Sequence, residues 1–78
     1  MKITYDPEGE MLYIRFSENF AVRADAESVP GLVVMYDEAG KVCALEIEDA
    51  TQLVDEPNRV DFVHYPLPND LAEKKEPA

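Results

Sequence analysis

With 78 residues the chain holds one domain at most, and a domain of this size hides only about 60% of the surface its unfolded chain exposes. Its 17 acidic and 7 basic side chains give a formal charge of −10, a field that repels phosphate backbones and argues against nucleic acid as a direct partner. No apolar run approaches the ~20 residues needed to cross a bilayer, so no membrane role is expected.

The chain opens with Ile3 and Tyr5 alternating with Lys2 and Thr4, followed by the dense apolar run Met11 to Phe16. Both read as strands facing a core. Between them, Asp6-Pro7-Glu8-Gly9 suits a type I turn closed by a left-handed glycine, which predicts a β-hairpin. Ser17 to Phe20 reads as loop. Val22, Ala24 and Ala26 then alternate with Arg23, Asp25 and Glu27, the pattern of a charged edge strand that discourages pairing with other chains. Pro30-Gly31 turns the chain into Leu32 to Tyr36, and Asp37-Glu38-Ala39-Gly40 leads to Val42 to Ile47. This second hairpin places Asp and Gly as the first one does, with Gly40 expected in the left-handed conformation.

After Ile47 the pattern changes. Asp49 with Gln52 three positions later resembles a capping box and predicts a short helix through Ala50, Leu53 and Val54, stopped by Pro57. Val60, Phe62 and His64 alternate with Arg59, Asp61 and Val63, which predicts a C-terminal strand that Pro66 and Pro68 cut short. Residues 69–78 are polar and mixed in charge, either a frayed helical turn or a disordered tail. The expected fold is therefore α+β: a small antiparallel sheet of two β-hairpins with one short helix and a C-terminal strand. Residues 1–54 form the body, 55–68 a strand packed on it, and 69–78 a tail.

The segments ITYDPEGEMLYIRF, PGLVVMYDEAGKV and ALEIEDAT also carry a likeness. In this order the chain resembles domain of unknown function 2283, a family of small bacterial proteins. The likeness covers Lys2 to Thr51, with Tyr5-Asp6, Leu12-Tyr13-Ile14, Pro30-Gly31, Asp37 with Gly40, and Leu45-Glu46-Ile47 before Asp49-Ala50 as its most specific pieces. Met35 stands where the family often has an acidic residue and Ala44 where it often has glycine. The resemblance implies an antiparallel sheet with a short helix, and no catalytic residue or activity.

Chemistry-bearing residues are few. Cys43 is the only cysteine and His64 the only histidine, so a thiol nucleophile with an imidazole base requires the two to meet in space. No internal disulfide can form, and the start of the chain lacks a basic segment ahead of an apolar core, which predicts a cytoplasmic protein. Glu46 and Glu48 are two apart on a predicted strand, with Asp49 next. A general acid and base pair can be built there, although a solvated strand face and a helix cap explain the same residues. Neither acidic turn continues as a calcium loop, one cysteine and one histidine fall short of a zinc site, and the three glycines are not clustered to cradle phosphate. No metal or cofactor is expected.

Tyr5, Tyr13, Phe16, Tyr36, Phe62 and Tyr65 are the large anchors. Most are expected in the core, with an apolar strip left exposed inside an acidic rim, as on a protein contact surface. The leading expectation is a non-catalytic module that forms a homodimer or binds a basic partner protein, for instance as an antitoxin-like inhibitor. The alternative is a small enzyme or ligand-binding protein with Glu46, Glu48, Asp49 or His64 at a subunit boundary.

Overall fold

Alternation of apolar and polar residues sets the first ladder. β1 (Lys2–Asp6) lies antiparallel to β2 (Met11–Arg15), with Tyr5 opposite Leu12 and Ile3 opposite Ile14. In the computed structural model, which describes residues 1–67, three further strands extend this hairpin: β3 (Arg23–Ala26), β4 (Leu32–Tyr36) and β5 (Val42–Ile47). They form one antiparallel sheet in the order β1-β2-β5-β4-β3. The two predicted hairpins are thus joined through β2 and β5, and the charged segment Arg23–Ala26 forms an outer strand as its composition suggested.

Residues directly opposite one another in an antiparallel ladder share a face, so the registers define rows across the sheet. One row runs Tyr5, Leu12, Ile47, Leu32. The next runs Ile3, Ile14, Leu45, Val34 on the same face. Leu12 and Ile47 are buried with Ala50, and Tyr5, Leu32 and Val54 pack against them. This cluster lies at one end of one face, under the turn that follows β5, while Cys43 and Ala44 are buried at the other end of β5. Between Met35 and Tyr36 the register shifts opposite Ala44 and Val42. Cys43 is the residue of this bulge; it is buried, and its backbone carbonyl accepts the Phe16 N–H at 2.8 Å.

The expected α+β class does not hold. The described residues form an all-β structure with five antiparallel strands and, in place of a helix, a lone 3-10 turn at Ala50–Gln52. The reason lies at Asp49, whose backbone is left-handed (φ 49°, ψ 52°) and whose carboxylate makes no capping hydrogen bond. The capping box never closes. Three residues of 3-10 turn complete the reversal, and Pro57 lies too close to allow the several turns a helix needs to offset its nucleation cost.

The predicted C-terminal strand is also absent, because residues 58–67 join no ladder. Alternation alone cannot hold an extended segment without a neighbouring strand in register. Here the Arg59 N–H bonds to the Glu56 carbonyl at 3.0 Å, and its guanidinium pairs with Glu56 and Asp61 at 3.6 and 3.3 Å. These local ties bend the chain. The predicted tail, 69–78, lies outside the described residues.

The first turn differs in one detail. The left-handed residue is Glu10 (φ 52°), while Gly9 keeps an ordinary φ. Tertiary contacts compensate for the strain at Glu10: its carbonyl accepts the Ala50 N–H at 2.8 Å, and its carboxylate accepts the Thr51 hydroxyl. The first hairpin is thereby tied to the 3-10 turn. Gly40 (φ 83°) takes the conformation expected of it.

Candidate functional site

The acidic turns do geometry. In each, the aspartate side chain accepts the backbone N–H two residues on, Glu8 to Asp6 at 3.1 Å and Ala39 to Asp37 at 2.9 Å, the closure typical of Asx turns. Asp37 goes further. It is the one buried charged residue among those described, and it also accepts the Lys41 N–H at 2.9 Å and the Asn19 amide at 3.0 Å. The Asn19 bond spans eighteen positions and pins the loop after β2 to the second hairpin.

Arg15 holds the same loop by donating to the carbonyls of Ser17 and Glu18 at 2.8 and 2.9 Å. The Asn19 hydrogen bond foremost, then the Lys41 and Ala39 N–H groups and the Lys41 charge, hold the Asp37 carboxyl below its ordinary value of 3.8 against the opposing effect of desolvation. A depressed native pKa gives stability that is present above the unfolded value and lost as pH falls through the lower native one. Replacing Asp37 with Asn is therefore expected to flatten the acid limb of the stability curve below about pH 3.8. Urea midpoints measured at successive pH values check this, and equal acid limbs for the parent and Asp37→Asn would refute the role given to Asp37.

The carboxylates singled out from the sequence are dispersed in their bonding. Glu46 is half-buried in β5, opposite Tyr13 on one side and Val33 on the other. β5 ends at Ile47, so Glu48 and Asp49 stand beyond the ladder, both exposed. His64 is exposed in the segment after the turn, whereas Cys43 is buried in β5. No group of three or more His, Cys, Asp or Glu side chains among the described residues is arranged to hold a metal ion.

What the fold does assemble is apolar. A groove of about 720 Å³ runs between β1 and the C-terminal segment, lined by Met1, Ile3, Tyr5, Pro57, Val60 and Phe62, with Asn58 beside them. Phe62 is 78% exposed and Val60 58%. The row Ile3, Ile14, Leu45, Val34 leads away from this groove across four strands, and none of its members is buried. None of the six large aromatic anchors is buried either: Tyr5, Tyr13 and Tyr36 are half-buried, and Phe16, Phe62 and Tyr65 are exposed. The expectation of a mostly aromatic core therefore fails. A single sheet without a covering layer cannot bury two faces.

Arg23, at the far edge, stacks on Tyr36 with 4.1 Å to the ring centroid and pairs with Asp25 at 3.4 Å. Its charge is thus engaged within its own edge. No helix among the described residues is long and apolar enough to cross a membrane.

Fold and site together define a small all-β protein, one antiparallel sheet with a half-covered apolar face and a groove at one margin. Residues 2–50 match the family model described as protein of unknown function (DUF2283), and the chain belongs to that family. No curated protein and no solved structure matches it.

Proposed function

We propose that this chain is a non-catalytic protein-interaction module whose working surface is the open half of its apolar face. The observation that supports this reading is the row Ile3, Ile14, Leu45, Val34, continuous across four strands, with Ile3 exposed and the other three half-buried. Apolar side chains aligned in this way gain free energy at about 25 cal/mol per Å² when a second surface covers them. The chain's net charge of −10 favours a basic partner and raises the rate at which one is captured. The concrete form proposed is an antitoxin-like inhibitor, which covers a small basic protein and keeps it inactive.

The test joins light scattering on the purified chain with co-purification from cells at low salt. The expected result is either a mass above that of one chain or a stoichiometric complex with one identified basic protein. Retention of that protein should weaken steeply as salt shortens the Debye length to a few ångströms near 1 M. A strict monomer that retains no protein would defeat the reading.

A further inference from the structure

β1 forms one margin of the sheet. Its ladder with β2 uses one side of the strand, and no backbone hydrogen bond among the described residues reaches its other side. An open row of N–H and C=O groups is a template for another strand. The sequence of this edge, Lys2-Ile3-Thr4-Tyr5-Asp6, is complementary to itself when reversed. Antiparallel pairing about a two-fold axis at Thr4 sets Lys2 of each chain opposite Asp6 of the other, Ile3 opposite Tyr5, and Thr4 opposite Thr4. Charge meets opposite charge on one face, and apolar meets aromatic on the other.

Lys2 has no ion-pair partner among the described residues, so its charge is available. The opposite margin is a poorer candidate, since β3 has four residues and its one cation is committed to Asp25 and Tyr36.

We infer that the chain forms a two-fold homodimer through β1, joining two five-stranded sheets into one continuous sheet. This rests on the association reading above and supplies its geometry and its partner, a second copy. A five-residue edge falls short of the roughly 800 Å² per partner that stable complexes bury. The groove beside it makes up ground: Met1, Val60 and Phe62 lie along this margin, and an aromatic ring contributes about 150–250 Å² when covered. Because a two-fold axis between antiparallel strands keeps like faces together, the grooves of the two chains come side by side, and each covers apolar surface of the other.

Sedimentation across a concentration series, with circular dichroism to verify folding, tests the dimer and its register together. The parent is expected to dimerise. Lys2→Asp places like charges opposite each other at both ends of the seam and should raise the dissociation constant about tenfold or more. The double variant Lys2→Asp/Asp6→Lys restores complementarity and should recover dimerisation. Asp6 also closes its turn, so a second measurement avoids it. Thr4→Cys should form an intermolecular disulfide under mild oxidation, because facing residues of an antiparallel pair lie within disulfide reach. The parent, whose sole thiol at Cys43 is buried, should not.

A dimer that neither cross-links at position 4 nor answers to the charge swap overturns this seam and leaves the association reading intact. So does a monomer that still retains a basic protein. A monomer that retains nothing removes both.

Discussion

Gly31→Ala is expected to cost about 2–5 kcal/mol, a large share of the stability of a small domain, which lies near the low end of 5–15 kcal/mol. Gly31 has φ 86°, and a Cβ built there would meet the Glu48 carbonyl oxygen at 2.5 Å. That neighbour is backbone, held where it is because the Glu48 N–H donates to the Gly31 carbonyl at 2.8 Å. It cannot rotate away. Relief would require β4 and β5 to separate where Leu32 faces Ile47, at the edge of the core.

Gly40 provides the internal control, with a similar φ of 83° but nothing within 4 Å of the added carbon. Gly40→Ala should therefore cost only the left-handed strain of about 1–2 kcal/mol. Gly9→Ala should be close to neutral, because φ there is ordinary and the nearest atom, Asp6 Oδ2 at 3.1 Å, belongs to a side chain that can shift. Urea midpoints for the three variants should rank in that order. A Gly31→Ala chain no less stable than Gly40→Ala would refute the close approach to Glu48.

The ranking also marks how far the sequence could be read. Turn chemistry and alternation are local, so the two hairpins, the Asp-led turns, the left-handed Gly40 and the charged outer strand were legible. Pro30-Gly31 was legible as a turn, but the contact that makes Gly31 indispensable depends on β4 lying beside β5, which is a tertiary fact. The helix misreading has the same origin. Asp49 and Gln52 carry the spacing of a capping box, yet the left-handed backbone at Asp49 and Glu10 is set by the hydrogen bond between Ala50 and Glu10, residues forty positions apart. Propensity is a weak prior where tertiary bonds decide.

The segment Val60 to His64 shows the complementary limit: its alternation was real, but a strand needs a neighbour, and sequence period alone names none. The candidate carboxylates followed the same logic. Glu46 and Glu48 share a face only if β5 continues past Ile47, and it ends there. The apolar row that carries the proposed function was foreseen only as a strip of unspecified position, since its members come from four strands whose order no local signal reveals.

Ile47→Ala is the second large loss expected, about 2–5 kcal/mol, and it separates folding from association. Ile47 lies between Leu12 and Leu32 in its row, and the cluster it forms with Leu12 and Ala50 is packed by Tyr5, Leu32 and Val54. Leu12 at 6% exposure, Ile47 at 7% and Ala50 at 0% are its buried members, so truncating one opens a cavity at the centre of a very small core. One row over, Leu45 is a strand neighbour on the same face yet is only half-buried, and nearby solvent can fill part of the space that its truncation would leave. Leu45→Ala should cost less than half as much as Ile47→Ala in the urea midpoint, while weakening capture of a partner protein that rests on that row. The variant Leu12→Ala/Ile47→Ala should lose less than the sum of its parts, because each removes contacts the other needs. If Leu45→Ala unfolds the chain as readily as Ile47→Ala and leaves partner capture untouched, then both rows serve the core, and the division of this face into a folding half and a working half is wrong.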